Sequence, residues 1–276
     1  MTCAYTAVDG ALVPYLNGDS MFVVAQQLGE GDCELIHGGF FSQPANTVSS
    51  FAFMLGGLSL LFVARREIGR TRLRVALAGL TMIVVGLGSV AYHGPAPFWG
   101  QWLHDLSIVA FLIFVIAVDL DDLRSGRTLQ AVAVYVGAVC AAGIVLGVVP
   151  DAVLVVFAVF GTAAFVAEVL WLQSVRAAGR QLGEIVNVNA YWVAIGALIV
   201  AGVLNLLGRT AAPLCDPDSY IQFHAVWHVL VAVAMVAYVF GRFGLGFRGA
   251  ARDGNGRNSA SDVDRNGLSS SVPETT

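Results

Sequence analysis

Seven apolar blocks of roughly 20 residues follow one another along the chain, at about 47–65, 75–93, 103–120, 129–149, 151–173, 190–208 and 221–241. At about 1.5 Å of rise per residue, each is long enough to cross a hydrocarbon core of about 30 Å as an α-helix. Backbone amides in lipid must bond within their own segment, so blocks of this length leave little choice but helix. A transmembrane β-barrel would instead show alternating segments of about ten residues, and these are absent. Composition agrees: 57% of the 276 residues are hydrophobic and 12% are charged, against about 25% charged in an ordinary soluble domain. The expected fold is an all-α seven-transmembrane helix bundle. An N-terminal segment, 1–45, precedes the helical domain, 46–245.

Arginine placement predicts the orientation. All 15 basic residues are arginine, and there is no lysine. Five lie between the first two spans, two follow the third, two follow the fifth and five follow the seventh; Arg209 alone lies on the other side. Positive residues favour the cytoplasmic face, which puts the N-terminus outside and the C-terminus in the cytoplasm. The first 45 residues contain no arginine and no long apolar run, so no cleavable signal peptide is expected. The tail, 246–276, is rich in Gly, Ser, Asn and Asp and nearly free of apolar residues; such a composition predicts cytoplasmic disorder. The net charge of −4 is scattered over loops and tails, and no basic stripe supports nucleic-acid binding. The lysine-free, Ala/Val/Arg-rich composition suggests a GC-rich bacterial genome and a plasma-membrane location. No feature calls for an obligate protein partner.

With that orientation, the histidines gather on the outer side. Ionisable groups at membrane depth are functional candidates by default. The second span ends "GLGSVAYH", which carries Ser89 and His93 to its outer end. The third begins "GQWLHDLSIV" with His104 and Asp105, and the seventh begins "YIQFHAVWHVL" with His224 and His228. Residues i and i+4 share a helix face, so His224 and His228 suit one metal ion, and a third ligand must come from another helix. His93 is the natural donor, with His104 an alternative. Three histidines and a water make a zinc site with one open position. Ser89 lies four residues before His93, on the same face, and Asp105 stands just past the short loop. The bland reading is that interfacial histidines contact headgroups and that Ser89 packs helices in a Gly-rich span. His37 reads as a solvated loop residue, and Cys140 as a small buried packing residue.

These motifs, taken in order, resemble the alkaline ceramidase family, within the wider superfamily of seven-helix membrane hydrolases and adiponectin/progestin receptors. The resemblance rests on S-x-x-x-H in "GLGSVAYH", an aspartate about twelve residues further on, and H-x-x-x-H in "HAVWH". It extends to "DCE" (Asp32–Glu34) and to "ANTVSS" (Ala45–Ser50) at the entry to the first span. It implies zinc held by His93, His224 and His228, with Ser89 and Asp105 as the catalytic pair facing the water. It further implies a disulfide between Cys33 and Cys215, which the expected outer location of both cysteines would permit. The family's calcium element is only partly matched, by Asp32, Glu34 and Asn46; Gln43 stands where a glutamate is expected, and the tryptophan after the aspartate is missing. The implied reaction is zinc-dependent cleavage of the N-acyl amide of ceramide or a related N-acyl membrane lipid, giving a fatty acid and a long-chain amine on the extracytoplasmic side.

Other classes remain at this point. A non-catalytic seven-transmembrane lipid-binding receptor would share the metal pattern, although receptors of that branch have the opposite orientation. A bis-histidine haem protein could pair His93 with His224. A transporter would lean on Glu168 and Asn205, although Glu168 can equally snorkel to the nearby interface. A retinal protein is excluded, because its Schiff base needs a lysine.

Overall fold

The computed structural model describes residues 4–8, 11–15, 29–124 and 126–245. The expected tail, 246–276, lies outside them. Two short strands, β1 (Ala4–Val8) and β2 (Ala11–Tyr15), pair antiparallel ahead of the helical region. Seven helices are long and apolar enough to cross a membrane. They are α1 (Pro44–Ala64), α2 (Gly69–His93), α3 (Gly100–Leu123), α4 (Thr128–Val148) and α5 (Val153–Ala177), with a 3-10 turn, Pro150–Ala152, leading into α5. After a four-residue helix, α6 (Leu182–Ile185), come α7 (Val188–Leu207) and α8 (Phe223–Phe243). The chain is a multi-pass membrane protein.

The helices overrun the apolar blocks that predict them. The second was expected from 75 but begins at Gly69, so Arg70, Arg72 and Arg74 ride on its first turns. A helix satisfies its own backbone and need not stop where the apolar run stops, and long arginine stems can reach back to water. The third begins at Gly100 rather than 103, which places His104 and Asp105 inside its first two turns.

α3 is the hub. Its apolar window is 67% buried within the protein, against 17% for α4 and for α5 and 11% for α7. α3 packs on α2, α4 and α5; α1 packs on α2 and α8; α7 packs on α8. Helices in lipid gain little from hiding apolar surface from one another, so close backbone approach and polar bonds carry more of the association. Glycines permit that approach at two crossings that set the site. A Cβ on Gly79 would sit 2.7 Å from the Gly57 carbonyl oxygen, where α2 meets α1. A Cβ on Gly88 would sit 2.9 Å from the Leu103 carbonyl oxygen and 3.1 Å from the His104 Cα, where α2 meets α3. The second crossing brings the start of α3 against the end of α2.

Three expectations need correction. Cys140 is exposed on α4 rather than buried; α4 buries Ala131, Ala142 and Leu146 instead. Glu168 does not snorkel to the interface: its carboxylate accepts from the Tyr191 hydroxyl and, at 2.8 Å, from the Tyr238 hydroxyl. Arg242, counted above as a residue beyond the last span, lies inside the last turn of α8 and is buried. It donates to Asp119 at 3.0 and 3.2 Å and to Asp122 at 2.7 Å, and it lies 3.2 Å over the Trp171 ring. Those partners make the depth tolerable for a guanidinium.

Candidate metal centre

The last turn of α2, the first turns of α3 and the first turns of α8 meet at one end of the bundle. Four of the five histidines come together there; His37 lies exposed, apart from them. His224 and His228, one turn apart, have ring centres 4.6 Å apart. His93 is 5.1 Å from His224 and 5.0 Å from His228, and His104 is 5.8 Å from His93. All four are buried, His93 and His228 completely.

Residues 29–43 lie across this end. The Gln43 amide donates to the His93 carbonyl at 2.8 Å and the Ser42 amide to the Gly94 carbonyl at 3.1 Å. On its other flank the strip is fastened to the loop ahead of α8. The Thr210 amide donates to the Gly31 carbonyl, the Cys33 amide donates to the Thr210 hydroxyl, and a disulfide joins Cys33 to Cys215. The bridge pairs the two cysteines expected to form it. Glu34 accepts from the amides of Ala45 and Asn46 at 2.6 and 2.9 Å, so a carboxylate serves the free donors at the start of α1. Burial pushes the Glu34 carboxyl above the ordinary range, against the pull of those two amides.

The imidazoles share one hydrogen-bonding plan. His93 Nδ1 is 2.7 Å from Gln43 Oε1, His104 Nδ1 is 2.8 Å from Asp105 Oδ1, and His228 Nδ1 is 2.8 Å from Ser49 Oγ. His224 Nδ1 lies 3.0 Å from Asn205 Oδ1 and 3.3 Å from Asp32 Oδ1. The amide and carboxylate oxygens can only accept. Ser49 gives its own hydrogen to the Asn46 carbonyl, so it too accepts from the ring. Each Nδ1 therefore carries the hydrogen, and each Nε2 is left with a lone pair. The Nε2 atoms of His93, His104 and His224 are buried and have no hydrogen-bond partner among the described residues. His228 Nε2 has Ser89 Oγ at 3.3 Å.

That pattern fits a metal. A buried nitrogen acceptor without a partner is destabilising by about 1–3 kcal/mol, and three in one cluster call for a shared electrophile. Metal-bound imidazoles usually donate their other N–H to an oxygen, which fixes tautomer and ring direction. Two rings bound through Nε2 to one tetrahedral ion at about 2.0 Å would have centres about 5 Å apart. The spacings of 4.6, 5.0 and 5.1 Å among His93, His224 and His228 match this. Ligand atoms lie within 4.8 Å of one another in two sets that share His93: His93 with His104 and His228, and His93 with Asp32 and His224.

Ser89 and Asp105 both border the cluster. Ser89 is 2.7 Å from Ser50 Oγ, and Ser50 gives its hydrogen to the Asn46 carbonyl, so Ser89 is the donor of that pair. Asp105 is buried and turned to His104. The calcium candidates are differently occupied: Asp32 faces His224, Glu34 serves α1, and Asn46 Oδ1 has no partner among the described residues. A calcium ion takes six to eight oxygens, and here it would have to draw them from these partners.

The pattern of the family described as Ceramidase matches residues 36–244, about three quarters of the chain. The chain belongs to the ceramidase family. Membership implies hydrolysis of a lipid amide, and the matched region contains all four clustered histidines, Ser89, Asp105 and Cys215. Asp32, Cys33 and Glu34 precede it. No curated protein matches the chain. Relative to the sequence reading of this ceramidase-family chain, the structure adds the oxygen partners Gln43, Ser49 and Asn205. Gln43 had been visible only as a departure from a glutamate, and Asn205 only as a polar residue inside a span.

Proposed function

We propose that this ceramidase-family protein is a zinc-dependent intramembrane amidohydrolase. It cleaves the N-acyl amide of ceramide or a related N-acyl lipid to a fatty acid and a long-chain amine. The carrying observation is the set of buried imidazoles from α2 and α8 whose Nδ1 atoms are tied to oxygens and whose ring centres lie 4.6, 5.0 and 5.1 Å apart. His93, His224 and His228 would hold the ion. Bound there, zinc supplies a Lewis acid that polarises a carbonyl and lowers the pKa of a water toward about 7.

The chain's own residues account for the rest. Gln43, Asn205 and Ser49 keep the three rings in one tautomer and aimed at one point, so nothing need reorganise when charge develops. Asp105 accepts the proton of the attacking water; hydroxide adds to the acyl carbon and the C=O electron pair moves to oxygen, and the C–N bond breaks as that pair returns and Asp105 gives its proton to the leaving amine. Ser89, whose hydrogen goes to Ser50 at rest, turns that hydrogen to the carbonyl oxygen as negative charge builds on it. Burial of all these groups excludes bulk water and strengthens each interaction. A site one to two turns from helix ends lets acyl chains stay in hydrocarbon during the reaction. The arginine asymmetry supports an extracytoplasmic position for this end, in a plasma membrane.

The test is metal analysis of the purified protein together with fatty-acid release from a series of N-acyl lipids, with and without chelator. About one zinc per chain and chelator-sensitive release are expected, and Asp105→Asn should keep the zinc while losing most turnover. Undiminished release from zinc-free protein would overturn the proposal.

A further inference from the structure

We propose that an arginine-lined cavity at the end of the bundle opposite the histidines binds a phosphate group, such as the headgroup phosphate of an anionic phospholipid. The proposal is independent of the zinc reading.

The cavity holds about 340 Å³ and lies where the start of α2 meets the ends of α3, α5 and α8. Its polar wall includes Thr71 and Arg74 from α2, Asp122 from α3, Arg180 just past α5, and Arg242 from α8. Trp171 and Phe243 add apolar surface. A few polar groups set among apolar walls, in a space of about 300–1,000 Å³, are the usual form of a small-ligand site.

The wall offers donors, not acceptors. Asp122 is the one carboxylate lining it, and both its oxygens are taken, Oδ1 by Arg74 and Oδ2 by Arg242. Arg242 uses Nε and Nη2 on Asp119 and Asp122, and its Nη1 has no partner among the described residues. Arg74 uses Nη2 alone, on Asp121 and Asp122, which leaves Nε and Nη1. These free nitrogens are not sealed from the cavity. The Arg180 guanidinium and the Thr71 hydroxyl bond no described residue either.

An anion completes such a wall. A guanidinium presents five donors in a planar fork that matches phosphate oxygens two at a time. Arg242 is already fixed by the Trp171 ring 3.2 Å away and by the carboxylates on its other edge, so an anion need not order it. Asp119 and Asp121 do not line the cavity, and the bonds they accept hold the arginines from behind. Arg70, Arg72 and Arg176 add positive charge on the neighbouring turns.

Position points to lipid as the source. The cavity sits at the ends of spanning helices, where headgroups lie, and basic pockets between such helices on the cytoplasmic side take anionic headgroups. The arginine asymmetry supports that side for this end. A zwitterionic headgroup would bring an ammonium toward the same arginines, which repel it. α2, α3 and α8 also carry the clustered histidines, so an occupant here clamps together the helices that form the other end.

The test titrates purified full-length protein in neutral detergent with phosphatidylglycerol, phosphatidylcholine or inorganic phosphate. Thermal unfolding and native mass spectrometry read the result. Phosphatidylglycerol should raise the unfolding temperature saturably and stay on the protein at about one copy per chain, and phosphatidylcholine should do neither. Inorganic phosphate that stabilises equally and displaces the lipid keeps the site and makes free phosphate its occupant. Arg180→Gln removes an exposed guanidinium without touching the buried cluster, and it should weaken retention about fivefold. Arg127→Gln, at the same end but outside the cavity, should leave retention unchanged. Equal retention of the two lipids (including none of either, with no effect of phosphate) overturns the proposal, as does equal loss from the two variants.

Discussion

Two buried polar clusters stand at opposite ends of the bundle, and they are finished differently. At the end formed by the close of α3 and of α8, each guanidinium of the cluster meets a carboxylate. Arg242 bonds Asp119 and Asp122, Arg74 bonds Asp121 and Asp122, and Glu168 takes two tyrosine hydroxyls. That cluster ties together α2, α3, α5, α7 and α8 and leaves one buried atom, Asp119 Oδ2, without a partner among the described residues. At the histidine end the Nδ1 side is equally complete, but the Nε2 side is not. Four of the five buried side-chain atoms without a partner among the described residues lie there: Asn46 Oδ1 and the Nε2 atoms of His93, His104 and His224. Burial of polar groups alone does not mark a binding site. Burial with the lone pairs turned inward on one another, and the remaining valences carefully satisfied, does.

Substitutions at each end can break or sharpen this contrast. The largest effect is expected from His228→Ala. Removing one of the three nitrogens should abolish zinc binding and reduce fatty-acid release by at least about 10³-fold, the equivalent of about 4 kcal/mol of transition-state stabilisation; metal content and lipid turnover check it. An active, zinc-loaded variant would make the two ends alike after all. Next comes Arg242→Met at the opposite end. It leaves Asp119 and Glu168 without their buried cation, which should lower stability by about 3–5 kcal/mol. Thermal unfolding in detergent reads this, and zinc per folded chain should not change. The smallest expected effect is from Gln43→Ala, which takes the acceptor from His93 Nδ1. Zinc affinity should weaken by about 10–100-fold in a chelator competition.

The spans and the gathering of the histidines at one end of the bundle were legible in the sequence for physical reasons. A helix in lipid must be long and apolar, and two imidazoles four residues apart share a face whatever surrounds them. The partners of those imidazoles were not legible. Gln43 is 50 residues from His93, and Ser49 is 179 from His228. Glutamines and serines are common, and no spacing rule connects residues on different elements. His104 was visible as a candidate, but its place beside His93 depends on how closely α3 approaches α2 at Gly88. Arg242 was misread because a charge beside an apolar block looks like its boundary; the carboxylates that draw it inward lie 120 or more residues earlier on α3.

The strip of chain before α1 has a consequence that reaches past its own packing. It lends Gln43 to one imidazole and Asp32 to another, and a covalent tether between Cys33 and Cys215 holds it against the loop that leads into α8. Thiol–disulfide status and the proposed hold on an ion are thereby linked. Reductant that opens the tether loosens the struts behind two rings at once, so a protein matured without oxidation would carry all its ligands and still grip the ion less firmly.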